Sequence, residues 1–317
     1  MKMNNFLVTG CAGFIGSHAV DLLLSHRHKV CGVDKLTYAG NINNLNTSID
    51  NDNFNFYQAD ICDRNYIQDL LKRHKIQCII NFAAESHVDN SITNCAPFIE
   101  SNVIGVHNLL ELIRTKPKYK RPSFFHISTD EVYGDIMEGA FKETDKLNPS
   151  NPYSATKACS EMLINSYHRT YGLRYVISRS GNNYGSRQYE EKLVAKAVSC
   201  LKDGAKIPLH GDGSYNRDWT HVKDNIDGIM SIIDKGIVDE CFNIAANNHF
   251  TNKEVALAVI KKFNKTEKEI EYVEDRWGQD IRYSVDTSKI KQATGWKPQR
   301  VGGLNLDFVD EELQGRI

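Results

Sequence analysis

The chain has 317 residues, 41% of them hydrophobic and 25% charged, with 39 Lys and Arg set against 40 Asp and Glu. That balance is ordinary for a folded globular protein and excludes a disordered or fibrous chain. A net charge of −1 lacks the basic excess that binding to nucleic acid or an anionic membrane leaves, and no apolar run approaches the roughly 18–20 residues that cross a bilayer.

An apparent strand begins within Met-Lys-Met-Asn-Asn-Phe-Leu-Val and leaves no room for a signal peptide. In chain order, apolar runs predict strands at Phe6–Thr9, Lys29–Asp34, Phe54–Ala59, Cys78–Phe82, Phe124–Ser128 and Arg174–Ser178. Between them, helical spacing appears at Ile15–Ser25, Tyr66–His74, Pro97–Thr115 and Tyr153–Tyr171, with Gly172 placed as a C-cap. Short strands separated by helices pair in parallel through crossovers, which predicts a doubly wound α/β sheet over residues 1–185. From 186 to 317 the regularity fades. Helices are expected at Glu191–Lys202 and Asn252–Phe263, with a loop-rich stretch at Pro208–Trp219. This part reads as a smaller lobe over the sheet's carboxyl edge, with the chain free to return to the sheet. The Asn-rich segment Asn41–Asn53 reads as a solvated loop. Eight cysteines (11, 31, 62, 78, 95, 159, 200, 241) lie far apart, several in apolar runs, as small buried hydrophobes of a reducing, cytoplasmic compartment do. No His or Cys cluster has metal-ligand spacing, so no metal is expected.

The first strand runs into Gly10-Cys11-Ala12-Gly13-Phe14-Ile15-Gly16, a G-x-x-G-x-x-G loop that opens a helix. Glycines there let backbone approach a pyrophosphate, and the helix N-terminus offers it free N–H groups. Asp34 ends the second strand about 20 residues on, the spacing at which an acidic side chain meets the ribose hydroxyls and repels a 2′-phosphate. This favours NAD over NADP, in a Rossmann arrangement. Asp60 and Ile61 are placed to flank the adenine. Further on, Tyr153 and Lys157 share one helix face at i, i+4. A phenol near pKa 10 is a poor base at neutral pH, and a lysine ammonium with a cationic nicotinamide is expected to bring it into range.

Gly10-x-x-Gly13-x-x-Gly16, Ser128-Thr129 and Tyr153-x-x-x-Lys157 together resemble the extended short-chain dehydrogenase/reductase family. Ala83-Ala84-Glu85-Ser86-His87-Val88-Asp89, Thr129-Asp130-Glu131-Val132-Tyr133-Gly134, Asn182-Asn183-Tyr184-Gly185 and the run from Asp275 to Tyr283 narrow the resemblance to its nucleotide-sugar 4,6-dehydratase branch. The resemblance implies a catalytic set of Thr129, Asp130, Glu131, Tyr153 and Lys157. Tyr153 would take the 4-hydroxyl proton while Thr129 bonds the same oxygen and hydride leaves C4. Glu131 would remove the C5 proton and Asp130 would protonate the departing 6-hydroxyl. Return of hydride to C6 then yields a 4-keto-6-deoxy sugar. The implied cofactor contacts are Phe14, Ile15, Lys35, Leu36, Thr37, Phe82, Ala83, Ala84, Ser86 and Asn183, beside the glycines and Asp34. The implied substrate contacts are Ser86, His87, Asn182, Lys192, Leu193, Pro208, His210, Arg217, Asn248 and Arg276. A homodimer through a four-helix bundle is also implied. A thymidine nucleotide is favoured, but Asn90, Ala195, Trp277 and Gln279 depart from the branch's usual residues and leave uridine open. Similar 4-epimerases and glucuronate decarboxylases usually lack this carboxylate pair, and a non-catalytic NAD-sensing scaffold would be expected to lose Tyr153 or Lys157.

Overall fold

The computed structural model describes residues 4–275 and 277–313. Arg276, one of the expected nucleotide contacts, lies outside them. Strand and helix alternate from the start: β1 (Asn5–Thr9), α1 (Phe14–Ser25), β2 (Lys29–Asp34), β3 (Phe54–Gln58), α2 (Arg64–Arg73) and β4 (Cys78–Asn81). Next come α3 (Val88–Thr93) and α4 (Ala96–Phe98), the latter continuing through a π-helical stretch, Ile99–Ile104, into α5 (Gly105–Arg114). β5 (Ser123–Thr129), α6 (Pro152–Tyr171), β6 (Tyr175–Ser180) and β7 (Asn182–Tyr184) follow. The rest is α7 (Leu193–Lys202), β8 (Ile207–His210), β9 (Asn216–His221), α8 (Val222–Asp234), β10 (Glu240–Ile244), β11 (His249–Thr251), α9 (Asn252–Lys262), β12 (Ile270–Val273), α10 (Ser288–Thr294) and α11 (Asp307–Leu313). Among the described residues, no helix is long and apolar enough to cross a membrane.

Seven parallel strands form the main sheet in the order β10-β6-β5-β4-β1-β2-β3. Both faces are covered, which is why its strands read as almost unbroken apolar runs. Residues of β1 alternate between two cores: Phe6 and Val8 join residues of α1 and α8, while Leu7 joins those of α2, α5 and α6. The strand order reverses at β1, which pairs with β2 on one side and β4 on the other. A doubly wound sheet opens a crevice at that point, beyond the carboxyl ends of the strands.

The later chain is divided between two places. α8 and β10 belong to the main sheet, β10 as its edge strand beside β6. α7 and α9 pack instead with Ile207, Leu209 and Ile270 of β8 and β12 in a separate core. Two small sheets, β11-β9-β7 and β12-β8, complete that lobe. The Asn41–Asn53 segment is exposed at most positions, but Leu45 and Ser48 are buried. Asn44 Nδ2 donates to Ala12 O at 2.9 Å and Ser48 Oγ to Asp21 at 2.6 Å, so the loop is fastened to the Gly-loop and α1.

α6 is the most completely signalled helix. Asn151 and Ser154 form a reciprocal capping box, Pro152 occupies the first turn, and Gly172 ends the helix at φ 65°. The π stretch facing it has a local cause: the buried Asn102 bonds the Glu85 backbone through both side-chain ends, at 3.0 Å each, and reaches Thr156 Oγ1 at 2.9 Å. Behind the sheet, Arg179 of β6 holds Glu161 of α6 through Nε at 3.0 Å and Nη2 at 2.6 Å, both side chains buried, and donates to Tyr133 Oη at 2.6 Å. Removing one partner of such a pair strands a buried charge. Glu161→Gln is expected to lose about 3 kcal/mol of stability in urea denaturation; a loss below about 1 kcal/mol would mean the pair does not hold α6 to the sheet.

Candidate active site

A cleft of about 360 Å³ runs from the exit of β1 to the lobe. Gly10, Gly13, Phe14, Ile15 and Gly16 line one end of it. A Cβ at Gly16 would fall 2.1 Å from Gly10 O, and one at Gly10, where φ is +67°, would fall 2.6 Å from Ala83 N. Only glycine allows this approach of loop, helix and the β4 exit. The N-terminus of α1 carries no side-chain cap and no acidic residue in its first turn, so its N–H groups and dipole face the cleft uncompensated. That arrangement fits a pyrophosphate. Phe82, Ala84, Ser86, Asn182 and Asn183 line the cleft as expected.

The expected adenosine contacts lie apart from this lining. Asp34 is buried and spends its oxygens on Ala12 N at 2.9 Å and Leu36 N at 2.8 Å, tying the Gly-loop to the loop after β2. Lys35 pairs with Asp60 at 2.6 Å. Ile61 is buried in the core and leaves no room for a Cβ at Gly105, which would approach to 2.4 Å. Leu36, Thr37 and Ala83 are not among the lining residues either. Asp60, Cys62 and Glu100 come close enough together to suggest a metal. However, Lys35 already neutralises Asp60, and burial pushes the Cys62 thiol up to about 11.

Within the cleft the exit of β5 meets the start of α6. Thr129 ends β5, and its Oγ1 accepts from Glu131 N at 3.3 Å and donates to Asp130 Oδ1 at 3.2 Å. Asp130 is 2% exposed, and its Oδ2 has no partner among the described residues. Burial, then the neighbouring Glu131 and Asp218 carboxylates, raise Asp130 well above the usual range. Glu131 is raised by burial too, but Lys192, Arg217 and a hydrogen bond from Asn151 pull it back. Both carboxyl groups are thus raised, Asp130 much the further, because Glu131 has more cationic and hydrogen-bonding compensation.

Tyr153 and Lys157 line the same cleft. The expectation that Lys157 lowers the Tyr153 phenol is not met in this state. Burial, Glu131 and Asp130 raise the phenol, and only a hydrogen bond with Thr129 opposes them. The Lys157 ammonium is directed to Ile127 O at 2.5 Å, and burial lowers it to about 8.

On the lobe side, Ser86, His87, Lys192, Leu193 and Arg217 reach the cleft, and Lys192 Nζ donates to Ser86 O at 2.7 Å. Arg217 is 5% exposed, donates to the carbonyls of Asn216, Asp280 and Ile281, and stacks on Tyr283 at 4.3 Å. Pro208 and His210 lie on β8 and pair with β12, outside the lining, and His210 bonds Glu274 O at 3.0 Å. Asn248 is also outside it, holding Gly303 O at 2.9 Å. The cleft gains Asn151, Gln188, Tyr189 and Glu191, which motif reading passed over, and Asp280 and Tyr283, which lay in a matching run but were given no site role. Asn151-Pro152 carried a helix-start signal that marks it; the others reach the site only through tertiary folding.

Residues 7–301 match a family model described as GDP-mannose 4,6 dehydratase. The dTDP-glucose 4,6-dehydratase of Haemophilus influenzae is 40% identical over 317 residues, covering 94% of each chain. The solved dTDP-glucose 4,6-dehydratase of Bacillus anthracis, in complex with NAD, is 40% identical with a TM-score of 0.90, over 98% of this chain and 97% of that one. The Streptomyces venezuelae dTDP-glucose 4,6-dehydratase DesIV, also with NAD bound, is 37% identical with a TM-score of 0.92, over 98% of each chain.

The buried lysine has a measurable consequence. Folded Lys157 releases its proton near 8, whereas the unfolded group does so near 10.5. Between those values the unfolded chain binds more protons, so stability from this group rises with pH. The melting temperature of the wild type relative to Lys157→Met is expected to climb from pH 7 to pH 10. A flat or falling difference would mean the ammonium is solvated.

Proposed function

The chain belongs to the GDP-mannose 4,6 dehydratase family, and from that premise we propose that it removes water from a nucleotide-diphosphate-glucose, dTDP-glucose ahead of UDP-glucose, with NAD as its resident cofactor. The observation that carries this reading is the presence of Thr129, Glu131, Tyr153 and Lys157 in one cleft with the Gly-loop, with Asp130 buried directly behind Thr129.

Elimination across C5–C6 is difficult because the C5 proton is not acidic; oxidation at C4 places that proton α to a carbonyl. Gly10–Gly16 and the start of α1 would hold the pyrophosphate of NAD, whose nicotinamide, when bound, would supply hydride exchange with the sugar and a positive charge that favours the Tyr153 phenolate. Tyr153 takes the 4-hydroxyl proton, and Thr129 orients that oxygen. Glu131, kept basic by Lys192, Arg217 and Asn151, takes the C5 proton and later gives it back. Asp130, kept protonated by burial and two neighbouring carboxylates, gives its proton to the leaving 6-hydroxyl. Residues 1–185 supply the cofactor cradle and the catalytic groups, and 186–317 supply mainly the nucleotide side, with Arg276 as a further contact. Asn90, in place of the arginine usual in dTDP-sugar members, is the feature that keeps UDP-glucose as the second reading.

A homodimer and a cytoplasmic location complete the proposal. Ile99, Ile104 and Met162 are 46%, 51% and 61% exposed along the helices expected to form the interface. All eight cysteines are unpaired, as a reducing compartment requires.

Incubation with dTDP-glucose or UDP-glucose, read by mass spectrometry, is expected to show loss of one water from at least one sugar. A change of configuration at constant mass would sink the dehydratase reading. Asp130→Asn should keep C4 oxidation and lose elimination by about 100-fold or more; unimpaired elimination would remove Asp130 from the acid role. Sedimentation at micromolar concentration is expected to give a dimer, and a monomer there would refute that part.

A further inference from the structure

The segment 186–192, between β7 and α7, is fastened to three separate elements of the dinucleotide-binding half. At its start, Ser186 O accepts from His18 Nε2 of α1 at 3.1 Å. Arg187 pairs with Asp21 of α1 at 2.7 Å, both side chains half-buried. Further on, the Tyr189 ring meets the ring of Tyr38, in the loop after β2, edge to face at 5.5 Å. Lys192 Nζ closes the span on Ser86 O, beyond β4, at 2.7 Å.

The anchors on α1 are themselves prepared. His18 and Asp21 lie at i, i+3 and share one face of that helix. Burial lowers His18 to about 4, so its ring is neutral at pH 7, and the Nε2–H must donate because a carbonyl oxygen only accepts. Asp21 Oδ1 is taken by Thr47 Oγ1 at 3.0 Å and Ser48 Oγ at 2.6 Å, and Oδ2 faces Arg187. Arg187 has φ +67°, a backbone conformation that residues with a Cβ seldom adopt. Its turn is therefore kept by these contacts rather than by local preference.

Four residues of the segment, Gln188, Tyr189, Glu191 and Lys192, line the cleft together with Gly10, Gly13 and Phe14. Arg187 does not line it. We propose that 186–192 is a strap that retains the dinucleotide, with Arg187 and Tyr189 as its fastenings. Arg187 is a positioning residue, since it reaches the cleft only through the segment it holds to α1. The inference rests on NAD being the resident cofactor and adds how it is kept. In the proposed reaction, hydride taken from C4 is needed again at C6, so exchange of the dinucleotide between those two events would strand a keto sugar with no reductant. A strap tied to α1, the β2 loop and the β4 exit must release its ties before that exchange can occur, and weaker ties raise the open fraction in proportion.

Release of the cofactor measures this without reference to turnover. Protein loaded with isotopically labelled NAD, desalted and chased with unlabelled NAD, gives a release rate for each variant. Arg187→Asn removes the charge and keeps a residue type that accepts positive φ. It is expected to release NAD about fivefold faster, the upper end of what a partly exposed ion pair contributes. Arg187→Lys, which keeps the pair with Asp21, should stay near the wild-type rate. Tyr189→Ala should speed release by a similar factor, about fivefold. If the asparagine chain does not fold, Arg187→Gly takes its place with the same expectation. Release from Arg187→Asn or Arg187→Gly at the wild-type rate overturns the strap. A faster rate in Tyr189→Ala alone overturns it too, since Tyr189 would then act only as a wall of the cleft. Failure of the underlying cofactor reading looks different: the wild type would take up no labelled NAD at all.

Discussion

Asp130 and Glu131 leave the end of β5 side by side, in a turn where Asp130 is buried and Glu131 half-buried at the cleft wall. Ionising both in such a place costs several kcal/mol unless partners compensate, and the fold compensates Glu131 more fully than Asp130. Glu131 receives an amide from the N-cap of α6 and two nearby cations from the lobe. Asp130 is buried more deeply beside two like-charged neighbours, and only one hydroxyl and the shared Arg217 oppose them. The asymmetry comes from which elements surround the turn. β5 supplies Thr129, β9 supplies Arg217 and Asp218, and the residues around the start of α6 supply Asn151 and Tyr153.

The turn is held from behind as well. Tyr133, at its far end, donates to Asn243 Oδ1 of β10 at 2.9 Å and accepts from Arg179, which is itself locked to Glu161. Edge strand, central strand and helix are thereby joined to the residues that would do the chemistry. On the opposite side, Asp280 accepts from Ser150 Oγ at 2.6 Å and from Tyr283 Oη at 2.5 Å, which ties the segment before Tyr283 to the approach of α6. The lobe is therefore anchored next to Glu131, and its cations have fixed positions relative to the carboxylate they stabilise.

Much of this could be read before any coordinates. The alternation of apolar runs and amphipathic stretches locates the first six strands to within about two residues of their observed ends. Asn151, Pro152 and Gly172 mark both ends of α6. The Gly-loop, Tyr153, Lys157 and Thr129 all reach one cleft because their roles are tied to local features: a strand exit, a helix start, a one-turn spacing. What escaped depends on long-range contacts. α8 shows apolar residues Val222, Ile226, Ile229, Met230 and Ile232 at helical spacing, but nothing local tells that it returns to the α1 face. Asp34 carries the spacing of a ribose ligand, yet its carboxylate also fastens two loops, a role visible only once Ala12 and Leu36 N–H groups are placed around it. The phenol of Tyr153 is raised by burial and by Glu131 and Asp130, about 20 residues away in sequence, and a pairwise reading with Lys157 misses them.

The even balance of charge acquires a physical meaning from these contacts. A nucleotide diphosphate is dianionic, and a chain of net charge −1 cannot attract it by its overall field. Lys192 and Arg217 are instead held in place before any substrate arrives, one by Ser86 O and the other by three backbone carbonyls and the face of Tyr283. Neither is exhausted by those bonds. An ammonium has three donors and a guanidinium five, so each keeps N–H groups to offer. Holding a long cationic side chain in advance removes about 0.5–1.5 kcal/mol of ordering cost from the binding step. The same fixed cations lie close enough to Glu131 to favour its carboxylate. On the proposed reading, two positive charges therefore serve the diphosphate and the base together, and the site needs no surrounding basic surface.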